Sequence, residues 1–189
     1  FEGIKEISPG EYKIFTPNSV KTIKYWDPKF QVQNEHIFYK EAVDLAKKAL
    51  ERSLELRLRA DVPIAFFLSG GVDSNSLISL AAKKFNFDVH GFTIMNTDNR
   101  YEEKDLINYS VNELGIKHTA VNISSDNFLE DIRTLIKFHN APIFTINYFA
   151  QWQLMKEVKK LGYKVTISGV GADELFSGYY DHHLAYLAE

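Results

Sequence analysis

Cysteine is absent from these 189 residues. That excludes a disulfide, a thiolate metal site and a cysteine nucleophile within the chain, and it fits a reducing compartment, so a cytoplasmic location is expected. A strong charge of either sign is also missing. The 22 Lys and Arg against 25 Asp and Glu leave a net charge of −3, so no nucleic acid and no membrane surface is expected as a partner. No segment approaches the roughly 18 apolar residues of a membrane-spanning helix, and no signal peptide is visible. The first residue is Phe1 and not Met, so an excised piece of something longer is expected. What remains is ordinary: 45% hydrophobic and 25% charged residues, near the averages of soluble domains, in a length that suffices for one domain with a sizeable core.

The organising stretch is Ile64-Ala65-Phe66-Phe67-Leu68-Ser69-Gly70-Gly71-Val72-Asp73-Ser74. Five consecutive apolar residues without alternation suit a parallel strand covered on both faces. Ser69, Gly70 and Gly71 can turn the backbone sharply and leave its N–H groups open. A helix beginning at about Asp73 adds partial positive charge, so the turn is a ready site for phosphate. Neither common phosphate motif is present. No lysine follows the glycines as a Walker A loop requires, and G-x-G-x-x-G is absent. The alternative use of the stretch is a plain strand-to-helix turn capped by Asp73 or Ser74.

Around it the chain reads as α/β. Residues 1–28 hold Pro9-Gly10 and short alternating runs, Tyr12–Phe15 and Val20–Ile23, which predict two or three short strands. Residues 34–60 predict a long amphipathic helix with Phe38, Ala42, Leu45, Ala49 and the leucines 54, 56 and 58 as its apolar stripe. Strands over 63–68, 88–95, 117–123 and 164–168 alternate with helices over 73–85, 102–114, 126–139 and 146–161. That βα alternation implies a doubly wound parallel sheet, which binds ligands at the carboxyl ends of its strands, at the switch point.

A second glycine-rich strand end follows: Ser168-Gly169-Val170-Gly171-Ala172-Asp173-Glu174-Leu175-Phe176-Ser177-Gly178-Tyr179. A carboxylate beside a polyphosphate is repulsive unless a cation lies between them. Mg²⁺ takes oxygen ligands, commonly one or two carboxylates with phosphate oxygens. Asp73 and Asp173, brought together from two strand ends, would hold it. Alone, Asp173 would read as a helix N-cap.

The first loop, S-G-G-V-D-S, resembles the pyrophosphate-binding loop of the N-type ATP pyrophosphatases. The second, S-G-x-G-A-D-E-L-F-x-G-Y, resembles the second signature of the asparagine synthetase family. The resemblance extends over the whole chain and implies a Rossmann-like domain. It makes residues 1–28, with Tyr25-Trp26-Asp27, the tail end of an upstream glutaminase-like β domain, and residues 29–189 the N-terminal part of an ATP-binding synthetase domain. A small β cap on the same domain is the other reading of 1–28. The resemblance also implies ATP and Mg²⁺ as cofactors, activation of a carboxylate as an acyl-adenylate, and amide formation with ammonia from an upstream glutaminase domain absent from this chain. Carried over by position, Leu68, Ile94, Ser168 and Gly169 would hold the adenosine part. Ser69, Gly70, Gly71, Asp73 and Ser74 would bind pyrophosphate, and Asp73 and Asp173 the metal. The partners implied are a small-molecule carboxylate acceptor and ammonia, with a homodimer left open.

Three departures from that family stand out. Val170 occupies a position where glutamate is usual, and valine can neither transfer a proton nor bind ammonium. Asn147, in Thr145-Ile146-Asn147, replaces the arginine of a Thr-Ile-Arg stretch that recognises aspartate, so a bidentate clamp on a carboxylate is missing. A lysine expected to contact the phosphates would lie beyond Glu189. These leave two alternatives: a specialised relative, such as a β-lactam-forming or sugar- or peptide-modifying amidotransferase, and an inactive nucleotide-binding module. Intact Asp73 and Asp173 argue against the second and Val170 for it. His182 and His183 follow Asp181, but adjacent histidines point to different faces of a helix, so a helix start is expected there and not a metal site.

Overall fold

The computed structural model describes residues 2–27, 37–95 and 103–188. The chain divides into two compact units, Phe1–Ala46 and Lys47–Glu189. In the first, β1 (Glu11–Thr16) and β2 (Ser19–Lys24) form an antiparallel hairpin with Thr16 opposite Ser19. The predicted strands are therefore two. Gly10 precedes them with φ +73°, and the Trp26 carbonyl lies where its side chain would stand. Only glycine fits both demands.

The predicted 34–60 helix is α1 (Tyr39–Arg57), which runs across the division; its first predicted turn lies outside the described residues. Its apolar stripe needs correction. Leu54 is buried and Leu58 packs beside it, whereas Phe38, Leu45 and Leu56 are exposed. At about 100° per residue, positions 38, 45, 49 and 56 fall roughly opposite 54 and 58. The sequence pattern thus merged two faces of one helix, and Leu54 and Leu58 mark the one that packs.

The second unit is the α/β body. β3 (Ile64–Phe67), β4 (His90–Met95), β5 (Lys117–Asn122) and β6 (Val165–Ile167) form a parallel sheet in the order β5-β4-β3-β6. From β3 the chain winds outward to β4 and β5, then returns to the other side of β3 to form β6. The switch point therefore lies at β3. The helices are α2 (Val72–Ser79), α3 (Lys104–Leu114), α4 (Phe128–His139), α5 (Asn147–Lys160), α6 (Ala172–Phe176) and α7 (Tyr180–Leu187). α2 runs on into a π-helical turn, Leu80–Lys84, where the Phe85 N–H donates to the Leu80 carbonyl. Gly115 ends α3 in the left-handed region, as predicted, and Asn140 does the same for α4.

Strand alternation sorts the core. Ile64, Phe66 and Leu68 enter one cluster with Leu54, Ile78, Ala81, Val89, Ile107 and Ile167; Ala65 enters the other with Phe92, Val121, Leu154 and Val158. Helices thus cover both faces of β3, which is what its unbroken apolar run requires. Phe66 and Phe92 are fully buried, and truncating either to alanine would cost about 3–5 kcal/mol.

Two histidines are built into the sheet. His90 Nδ1 lies 2.9 Å from the Tyr163 hydroxyl and Nε2 lies 2.8 Å from Thr119 Oγ1. His118 Nε2 lies 2.9 Å from Thr93 Oγ1, which itself donates to the Leu68 carbonyl at 2.7 Å. The threonine proton is already committed, so His118 donates from Nε2. Burial holds both histidines below their usual pKa, and the charge of Lys117 adds to this at His90. A group whose folded pKa is depressed binds fewer protons folded than unfolded. For these histidines, stability is complete above the unfolded value of about 6.5 and is lost as the pH falls through the folded one. The urea midpoint should accordingly drop between pH 7.5 and pH 5.5, and His118→Gln, which keeps a donor but cannot titrate, should shrink that drop. An unchanged drop in His118→Gln would rule out a contribution from this residue.

Candidate functional site

The strand ends flanking the switch point carry both glycine-rich loops. β3 ends with the Leu68 N–H donating to the Phe92 carbonyl at 2.9 Å, while Thr93 holds the Leu68 carbonyl. The chain then turns through Ser69–Gly71. Side chains close this turn on itself. The Ser69 N–H donates to Ser74 Oγ (3.1 Å), the Gly71 N–H to Ser69 Oγ (3.2 Å), and the Asn75 amide to the Ser69 and Gly71 carbonyls (2.8 and 2.7 Å). Gly71 is the N-cap of α2, and no side chain caps the helix. Neither Asp73 nor Ser74 therefore serves as the helix cap that the plain-turn alternative requires.

The second loop leaves β6 at Ile167. Gly169 is forced by the first loop: a Cβ there would lie 2.9 Å from Asp73 Cβ and 3.0 Å from the Ser74 nitrogen. The two strand ends touch backbone to backbone at this point. Gly171 takes φ +98° and is the N-cap of α6, again with no side-chain cap, so Asp173 does not cap its helix either. After α6, Ser177 is left-handed and the Gly178 N–H donates to the Asp173 carbonyl at 2.9 Å. A side chain on Gly178 would overlap Asp173 Oδ1. Glu174 is drawn off by the Tyr179 hydroxyl, which donates to it at 2.8 Å and lowers its pKa. Among the described residues, no side-chain hydrogen bond or ion pair engages the carboxylates of Asp73 and Asp173.

One cleft of about 390 Å³ gathers nearly all of the expected site. Leu68, Ser69, Gly71, Asp73, Ser74, Ile94, Ser168, Gly169 and Asp173 line it. Leu68 and Ile94 supply apolar wall, and the two aspartates carboxylate oxygens. Gly70 is not in its wall; its N–H is taken by the Glu103 carboxylate, which is. Among the described residues, no Lys, Arg or His lines the cleft. The donor set is thus hydroxyls and main-chain N–H groups with carboxylates beside them. That chemistry fits Mg²⁺, which uses one or two protein carboxylates and completes its shell with phosphate oxygens and water. Among the described residues, no group of three or more His, Cys, Asp or Glu forms a ready metal cage, the Asp181-His182-His183 run in the first turn of α7 included.

A second, mostly apolar cavity of about 520 Å³ shares Asp73, Ser168, Gly169 and Val170 with the cleft and extends between Leu54, Leu77 and Phe176. Val170 lines both and is 87% exposed. Asn147 lines neither; Gln151, one turn further along α5, faces the cleft in its place. The sequence reading missed Gln151, Thr93, Asn75 and Glu103. Asn75 could have been found, since it stands one residue beyond the loop. The others come from strands and helices distant in sequence and carry no motif of their own. Among the described residues, no helix is long and apolar enough to cross a membrane.

The family described as asparagine synthase matches residues 45–189. The glutamine-hydrolysing asparagine synthetase 1 of Bacillus subtilis is 30% identical over 178 residues, which cover 93% of this chain and 27% of that protein. The amidase chyE of Penicillium rubens is 28% identical over 196 residues, covering 95% of this chain and 29% of that protein. The chain therefore spans less than a third of the length of these relatives. Among solved structures, the NH3-dependent NAD synthetase of Campylobacter jejuni aligns over 76% of this chain and 61% of its own, with 14% identity and a TM-score of 0.46.

The contact between the strand ends should be intolerant of a methyl group. Gly169→Ala should lower the free energy of unfolding by about 1–3 kcal/mol, because backbone and Cβ atoms have to move apart. Urea denaturation measures it, and an unchanged midpoint would mean that the two loops separate without cost.

Proposed function

The chain belongs to the asparagine synthase family, and from that premise we propose that it is the ATP-binding part of an amide-forming ligase, activating a carboxylate as an acyl-adenylate with release of pyrophosphate before amidation by ammonia. The observation that carries this reading is the convergence of the Ser69–Ser74 loop and the Ser168–Asp173 loop on one cleft at the sheet's switch point. Leu68, Ile94, Ser168 and Gly169 would hold the adenosine part. Ser69, Gly70, Gly71 and Ser74 would present hydroxyl and N–H donors to the phosphates. Asp73 and Asp173 would hold Mg²⁺, whose charge offsets the negative charge growing on the leaving pyrophosphate. Ammonia would come from a glutaminase domain upstream, of which residues 1–28 would be the last strands.

The acceptor we propose is a carboxylate other than free aspartate. A site for a small dicarboxylate has to grip one carboxylate while it activates the other, and a guanidinium does so with two parallel charge-assisted hydrogen bonds. Asn147 cannot, and Val170 brings no acid, base or ammonium ligand to the cleft it lines. The apolar cavity beyond Val170 supports an acceptor with a larger apolar body. That one relative is described as an amidase and another as an asparagine synthetase agrees with a family whose acceptors differ.

Two measurements test this. In calorimetry, Asp73→Asn and Asp173→Asn should each weaken MgATP binding roughly tenfold to a hundredfold, as expected for losing a charged ligand worth about 1.5–3 kcal/mol; wild-type affinity in both would remove the metal assignment. In a pyrophosphate-release assay with ATP and ammonia, kcat/KM for aspartate should fall well below the roughly 10⁴ M⁻¹s⁻¹ of an ordinary enzyme on its own substrate. A value at or above that would show that Asn147 and Val170 leave specificity unchanged.

A further inference from the structure

We propose that Glu103 is a built-in competitor for the Ser69–Ser74 loop: its carboxylate holds the Gly70 N–H and has to leave before a phosphate can take that donor. The inference rests on the nucleotide reading above and adds a residue to it. The Gly70 N–H donates to Glu103 Oε2 at 2.6 Å, across 33 residues of sequence. Among the described residues, the other hydrogen bonds of this turn are made within it or to Ser74 and Asn75, both in the first turn of α2. Glu103 is the N-cap of α3, yet its carboxylate makes no capping bond to its own helix. Gly70 gives it room, since a Cβ there would lie 2.9 Å from Glu103 Cβ. A glycine usually explained by the approach of a phosphate is here also the seat of a glutamate.

The electrostatics make this contact a competition and not merely a tie. One N–H presents a single proton, so a phosphate oxygen and the carboxylate cannot both hold it in good geometry. Both are anions. Asp73, Asp173 and Glu103 line the same cleft, and no Lys, Arg or His is among the described residues that line it. A phosphate arriving without a cation therefore meets three carboxylates and finds one of its donors taken. Releasing Glu103 frees the Gly70 N–H, and an accompanying Mg²⁺ gives the displaced carboxylate an attractive charge to face. Glu103 would in this way favour metal-bound over metal-free phosphate.

The test is calorimetric titration of sodium pyrophosphate into the full chain, the Glu103→Gln variant and the Glu103→Ala variant, each in EDTA and in excess Mg²⁺. The expected result is tighter metal-free binding in both variants, by roughly fivefold to tenfold, the size of one like charge removed at about 4 Å in a water-like dielectric. The ratio of affinities with and without Mg²⁺ should shrink by a similar factor. Glu103→Gln keeps a neutral acceptor for the Gly70 N–H, so tightening in that variant assigns the effect to charge. Unchanged or weaker metal-free binding in both variants overturns the proposal and leaves the nucleotide reading standing if the wild type binds with Mg²⁺. Absence of binding in all three proteins under both conditions overturns the two together.

Discussion

The backbone contact between Gly169 and the Asp73–Ser74 peptide is the constraint on which the site depends. Parallel strands β3 and β6 are hydrogen-bonded neighbours, with Phe66 opposite Ile167, so their ends already leave the sheet side by side. Only a residue without a Cβ lets the two exits close up. Their closure sets Asp73 and Asp173 on one cleft although 100 residues separate them in sequence. The remaining features hold these two turns in place: Thr93 and His118 fix the carbonyl that precedes the first, and Asn75 locks its return. Gly178 leaves room for the Asp173 side chain after the second.

Much of this was legible in the sequence because the strongest signals were local. An unbroken apolar run bounded by Ser-Gly-Gly can be little other than a buried strand and a tight turn. Gly115 stops its helix in the left-handed geometry that the spacing predicts. The parallel sheet and its helices follow from the βα alternation. The pattern failed where periodicity alone had to choose a face. In α1, leucines 54, 56 and 58 look like one stripe, yet Leu56 is rotated away from the pair that packs.

The other gap concerns contacts that no local pattern encodes. Glu103 reaches Gly70 because β4 lies beside β3 and α3 follows β4; in the sequence it is one acidic residue among several. Thr93 reads in the sequence like any strand threonine, yet it is buried and its hydroxyl gains meaning beside the Leu68 carbonyl. Gln151 comes to the cleft from α5, which crosses the face of the sheet that carries Phe92 and Val121. Such residues reach the cleft through placement, and placement is a property of topology.

The makeup of the cleft bears on how such a chain can change. Part of its lining is main chain of the two glycine-rich turns, whose N–H donors every residue except proline carries, and no Lys, Arg or His is among the described lining residues. Drift in side-chain identity leaves those donors standing as long as the glycines keep the turns. The walls contributed by Val170 and Gln151, by contrast, consist only of side chains. The part of the cleft built from main chain is therefore less sensitive to side-chain substitution than the part built from side chains, so its walls can change while its turns persist.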